Sequence, residues 1–144
     1  MKNLILVMLA TLFMACVEPL KSKEEIIQEN ITLELRRSMK DPDSFEFVSM
    51  EITETFTVKQ RKEIITKDVI DDLRKIGKRI DITDFLICVE REFSFLSKQT
   101  DNDKEAIYFV DFSARGKNSF GVIVKNDYSA TILNDKGSSI LSLK

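Results

Sequence analysis

The hydrophobic period of this chain changes at Pro42. Upstream, Ile27, Ile31, Leu35 and Met39 recur every four residues and make one apolar stripe. Downstream, Met50, Ile52, Phe56 and Val58 recur every two, the period of a strand with one buried face. Proline lacks a backbone N–H and pushes the residue before it, Asp41, out of the α conformation. A helix must therefore stop near Lys40, and "DPDS" suits a type I turn with Pro42 at its second place. Upstream, "SKEE" is a capping box, with Ser22 as N-cap and Glu25 reaching back. Acids at the start (Glu24, Glu25) and cations at the end (Arg36, Arg37, Lys40) both suit the helix dipole. The spacing predicts a helix over 22–40, then a strand over 45–59.

Phe45 and Phe47 have the opposite parity to the rest of that strand, and a bulge near Val48 is the simplest repair. "TKDVIDDLRKIGKRI" has helical spacing, with Ile65, Val69, Leu73 and Ile76 in line, Thr66 to cap it and Gly77 to end it. "DFLICVEREFSFL" reads as a strand, central in the sheet because its middle is apolar on both faces. "TDNDKE" is a loop, and "IYFVDFSAR" and "FGVIVK" are strands on either side of "ARGKNSFG". "YSATIL" and "SILSL" pair across "NDKG", where Gly137 suits the left-handed position of a hairpin. This order predicts an α+β domain. An N-terminal helix and a second, inserted helix pack on an antiparallel meander of about four to six strands.

The first sixteen residues, "MKNLILVMLATLFMAC", hold one cation, Lys2, and an apolar run too short to span a bilayer, which takes about 20 residues. This is the pattern of a secretory signal. Cys16 follows Ala15 where the run ends, as in a bacterial lipoprotein signal, although Phe13 and Met14 depart from the usual residues there. The expected organisation is a signal peptide over 1–15, a lipidated tether over 16–22 beginning at Cys16, and a single domain over 23–144. Acyl chains contribute about 0.8 kcal/mol per buried CH₂, so two or three anchor stably. Val17 is not acidic, so the familiar inner-membrane retention signal is missing and the outer membrane is favoured.

Composition closes off several chemistries. The chain has no histidine, which removes His-based zinc sites and Ser-His-Asp or Cys-His catalysis. Without the leader it carries 21 cations against 24 anions, a net of −3, which argues against a nucleic-acid partner. With Cys16 acylated, Cys88 is the only thiol left and has no intrachain disulfide partner. It is expected as buried filler in a strand. No cofactor or metal is implied.

"ARGKNSFG" at 114–121 places Gly116 and Gly121 at P-loop spacing, but Val122 and Ile123 stand where Lys and Ser/Thr must reach phosphate and magnesium. A turn or bulge in an antiparallel sheet is the expectation. Taken with "MKDPDSFEF" at 39–47 and the lipoprotein-like leader, the segment resembles a group of small exported bacterial and phage-associated lipoproteins of unknown function. Lys40, Asp41, Pro42, Asp43 and Ser44 match one signature; Lys117, Asn118, Ser119, Phe120 and Gly121 match the other. Met39 replaces a leucine, and the segment "TKDVIDDLRKIGKR" and the tail after Asn126 lie outside the likeness. The resemblance implies a compact secreted domain and carries over no catalytic residue. Asp41 and Asp43 are anions at a helix exit, and Arg115, Lys117 and Asn118 can donate to them. The two signatures are expected to meet, as a structural joint or a recognition element.

The functional expectation is a non-catalytic interaction module, tethered by its lipid to the membrane of the bacterial envelope, with an envelope protein as partner. An inhibitor or immunity-type protein of the periplasm is the first alternative. A carboxylate-dependent hydrolase is the second; it needs two carboxyls roughly 5–9.5 Å apart in a cleft. Asp43, Glu46, Glu51, Glu54, Glu90 and Glu92 are the candidates for such a pair.

Overall fold

The computed structural model describes residues 20–144. Its elements run α1 (Lys23–Ser38), β1 (Glu46–Thr57), α2 (Val58–Ile64), α3 (Lys67–Gly77), α4 (Thr83–Leu96), β2 (Glu105–Lys117), β3 (Ile123–Leu133) and β4 (Ile140–Leu143). The strands form one antiparallel meander in the order β1-β2-β3-β4. The fold is α+β. Residues 1–15, and Cys16 with the tether as far as residue 19, lie outside the described residues.

The capping box closes α1 as its sequence dictates: Ser22 Oγ accepts from Glu25 N–H, and Glu25 accepts from Ser22 N–H at 2.7 Å. The stripe Ile27, Ile31 and Leu35 is buried. It packs on Tyr108, Val110, Phe112 and Ala114 of β2 and Ala130 and Ile132 of β3. A short 3-10 turn, Pro42–Ser44, then starts the strand. The pairing of β1 with β2 skips a residue between Phe47 and Ser49, so Val48 is the bulge that reconciles the two parities.

β2 alternates side chains between two cores. Its even positions 108–114 meet α1; Ile107 and Phe109 meet a second cluster of Val58, Ile65, Ile70, Val89 and Leu96, supplied by α2 to α4 and the chain between them. Three helices thus cover the opposite face near the start of β2, where one helix was expected.

Residues 83–96 are α4 and not a central strand; β2 holds the central place. The buried side of α4 is Val89, Glu92 and Leu96, a helical i, i+3, i+7 series. Glu92 stands in it because Arg61 neutralises it, with Nε and Nη2 donating to its two carboxylate oxygens at 2.6 and 3.0 Å. In α3, Thr66 caps as expected, but Ile70 is the buried residue while Val69 and Ile76 are exposed. "FGVIVK" and "YSATIL" belong to one strand, β3, because the polar "KND" between them lies on an uncovered stretch and does not turn. In the β3–β4 hairpin the positive φ falls on Ser138 (46°), not on Gly137. There Asp135 Oδ1 accepts from both Gly137 N–H and Ser139 N–H.

Candidate functional site: two turns and a hairpin tip

"MKDPDS" and "ARGKNSFG" meet. Ser44 Oγ donates to the Asp41 carbonyl at 2.7 Å and accepts from Lys117 N–H at 2.9 Å. Lys117 Nζ lies 3.5 Å from Asp41 Oδ2. Arg115 donates through Nε and Nη2 to both oxygens of Glu46, each at 2.7 Å, a bidentate geometry that fixes direction as well as charge. The Met39 methyl lies against the backbone of Gly116, where a Cβ would come within 2.3 Å of it.

Of the residues expected to meet, the structure joins Asp41 with Lys117; Arg115 turns to Glu46 and reaches neither aspartate. Asp43 is exposed on the turn. Asn118 serves its own turn: its Oδ1 accepts from Phe120 N–H at 2.9 Å and Val122 N–H at 3.1 Å. Gly121 there has φ 78°, a left-handed backbone that glycine adopts without Cβ strain. Ser44 and Glu46 are the partners that sequence reasoning missed. The signal for Ser44 was its place inside the motif; Glu46 sits directly opposite Arg115 in the β1–β2 register.

The joint braces β2 where it enters the β2–β3 turn, and the tip beyond it is apolar and open. Phe120 is 88% exposed, and Val122 and Ile123 are also exposed. From residue 115 to 126 the chain carries Arg115, Lys117 and Lys125 and no acid.

At the other end of β2 a second set of contacts ties down the start of α1. Lys23 Nζ donates to Tyr108 Oη at 2.6 Å and to Glu105 Oε2 at 2.8 Å, and Tyr108 Oη donates to Glu105 at 2.7 Å. The hydrogen bonds to Glu105 and Tyr108 push the Lys23 ammonium above its ordinary range. The hydrogen bond from Lys23, and then that from Tyr108, holds the Glu105 carboxyl below its own. Burial raises the Tyr108 phenol. The thirteen residues of β2 place the hairpin tip about 40 Å from this clasp, at 3.2–3.4 Å per strand residue.

Cys88 lies on α4, half-buried, and its thiol donates to the Leu141 carbonyl at 2.8 Å. It is neither in a strand nor fully covered; it lines a largely apolar cleft of about 660 Å³ with Phe85, Val89, Phe109 and Leu141. Among the six carboxylates considered for hydrolysis, Glu46, Glu90 and Glu92 are each held by an arginine. Asp43, Glu51 and Glu54 are exposed on β1 and the turn before it.

Together these features define a small α+β domain with a clasp at one end and a braced, apolar-tipped hairpin at the other. No protein-family model, no curated protein and no solved structure matches the chain.

Proposed function

We propose that this protein is a non-catalytic interaction module of the bacterial envelope, anchored to the outer membrane through lipid on Cys16, that presents its β2–β3 hairpin tip to a partner protein. The observation that carries this reading is the exposure of Phe120, Val122 and Ile123 on a hairpin turn whose approach along β2 is fixed by the Asp41, Ser44, Glu46, Arg115 and Lys117 contacts. Aromatic and aliphatic anchors held in a fixed geometry bind with less ordering cost than mobile ones. Direction supports it too. The tether enters at Lys23, beside the clasp, and the tip lies at the far end of a long strand. A domain hung from Cys16 therefore holds Phe120 away from the lipid surface.

Two measurements test this. Metabolic labelling with a fatty-acid probe should mark the protein, and Cys16→Ser should abolish the label and release the domain from membranes; unchanged labelling contradicts the anchor. With the lipidated protein on nanodiscs, a spin label at position 21 should be relaxed by a paramagnetic lipid headgroup and one at position 120 should not. Strong relaxation at 120 puts the tip on the membrane and removes the protein partner from the account.

A further inference from the structure

The cleft beside Cys88 opens where the cover of the second core stops. Ile107 and Leu133 face each other across β2 and β3 and are fully covered by that core. Two residues farther along each strand, on the same face, Phe109 and Thr131 form the next such pair and are only half-buried. These two are the floor of the cleft. α4 supplies one wall through Phe85, Cys88 and Val89, and β4 supplies the other through Leu141. The space between them, about 660 Å³, lies in the range of small-molecule sites.

The hydrogen bonds show which polar groups on the lining are spent. The Cys88 thiol donates to the Leu141 carbonyl. Both oxygens of Glu92 accept from Arg61, through Nε and Nη2. Arg61 Nη1 has no acceptor among the described residues, and no fully buried side-chain nitrogen or oxygen among them lacks a partner. Nη1 therefore reaches solvent, and the cleft is a space that Arg61 lines. The Thr131 and Ser142 hydroxyls bond each other at 3.2 Å. One of their two hydrogens serves that bond and the other is free to donate. The lining charges balance, with Arg61 and Lys144 against Glu92 and Asp84. Asp84 and Lys144 are exposed, where water weakens their pull on a ligand.

We propose that this cleft binds a small uncharged acyl compound, an alkyl chain ending in an amide or ester carbonyl. The apolar floor and walls take the chain. The groups left over are donors, Arg61 Nη1 and one hydroxyl of the Thr131–Ser142 pair, and a carbonyl oxygen accepts from them. A carboxylate or ammonium head gives up its hydration on entering and gains no net attraction from a neutral lining. An ammonium also brings donors to donors. The proposal does not depend on what the hairpin tip meets.

The test uses the full-length protein on nanodiscs and four probes: octanamide, octanoate, octylammonium and acetamide. Mass spectrometry follows the labelling of Cys88 by methyl methanethiosulfonate. Octanamide should slow the labelling saturably, with half-protection at least about ten-fold below that of octanoate or octylammonium. Acetamide, a head without a chain, should not protect. The backbone amides of Phe109 and Thr131 should show the largest chemical-shift changes with octanamide. Phe85→Ala should raise its half-protection concentration about five-fold, with the melting temperature held because Phe85 is 57% exposed. Ile87→Ala, also exposed on α4 but outside the lining, should leave it unchanged. Thr131→Val/Ser142→Ala removes both hydroxyls and should weaken octanamide about five-fold. Equal protection by the three eight-carbon probes, or none by octanamide, overturns the inference. So do the same loss in Ile87→Ala as in Phe85→Ala, full affinity in the hydroxyl double variant, and shifts centred away from Phe109 and Thr131.

Discussion

The Arg61–Glu92 pair should be the most consequential polar contact in the domain. Its side chains are 13% and 6% exposed, with both carboxylate oxygens engaged. It joins α2 to α4 over the second core, and the Arg61 guanidinium also lies 5.5 Å from the centre of the Phe56 ring. Removing one partner of a buried pair strands the other charge, at a cost of about 3–5 kcal/mol. Against a total stability of roughly 5–15 kcal/mol for a domain of this size, Arg61→Met should remove about a fifth or more. The melting temperature should fall by roughly 10–20 °C. Glu92→Leu should cost a similar amount, leaving Arg61 unpaired. The double variant Arg61→Met/Glu92→Leu should be more stable than either single variant, since a hydrophobic replacement escapes the desolvation that both charges bear. Urea titration followed by far-UV circular dichroism measures all three. Single-variant losses below about 1 kcal/mol, the range of exposed pairs, would show that water screens the pair. A double variant whose loss is the simple sum of the singles would refute the coupling.

Other outcomes follow from the same contacts. Ser44→Ala removes the acceptor of Lys117 N–H and should cost about 1 kcal/mol, whereas an Asp41→Ala/Lys117→Ala cycle should show coupling of only about 0–1 kcal/mol, because that pair is largely exposed; a larger cycle energy would mean the joint is dry. The clasp should give a two-sided pH dependence. Lys23 and Tyr108 are raised on folding, so their contributions are full below their ordinary values and fade as pH rises through the folded ones. Glu105 is lowered, so its contribution is full above the ordinary carboxylate value and fades as pH falls through the lowered one. Lys23→Met should therefore lose up to about 1 kcal/mol near neutrality, less in acid, where only the Tyr108 hydrogen bond remains, and converge with the parent protein in strong base; parallel profiles of urea midpoint against pH would contradict this.

What the sequence made legible follows from how local its causes are. α1 announces itself through a capping box, an apolar stripe and Pro42, all within about twenty residues of chain, and the Val48 bulge is forced by parity within one strand. α4 was hidden because its buried face contains Glu92. Pattern reading treats a glutamate as exposed, and only Arg61, thirty-one residues away and on another helix, makes it a core residue. The apolar run 85–89 then looks like a strand buried on both sides, whereas Phe85 and Ile87 are in fact exposed. The joint was half legible. Asp41 and Lys117 were found because opposite charges in two signature turns invite pairing, whereas the partner of Arg115 is Glu46 on β1. Ser44 and Glu46 were not, since their roles depend on strand register.

The central claim is that the hairpin tip meets a protein, and photo-cross-linking in the native envelope tests it most directly. A photoreactive residue replacing Phe120 or Val122 should give the same discrete protein adduct. One replacing Lys98, exposed in the loop at the clasp end of β2, should not. Adducts at 98 alone, or only lipid adducts at 120, would contradict the account.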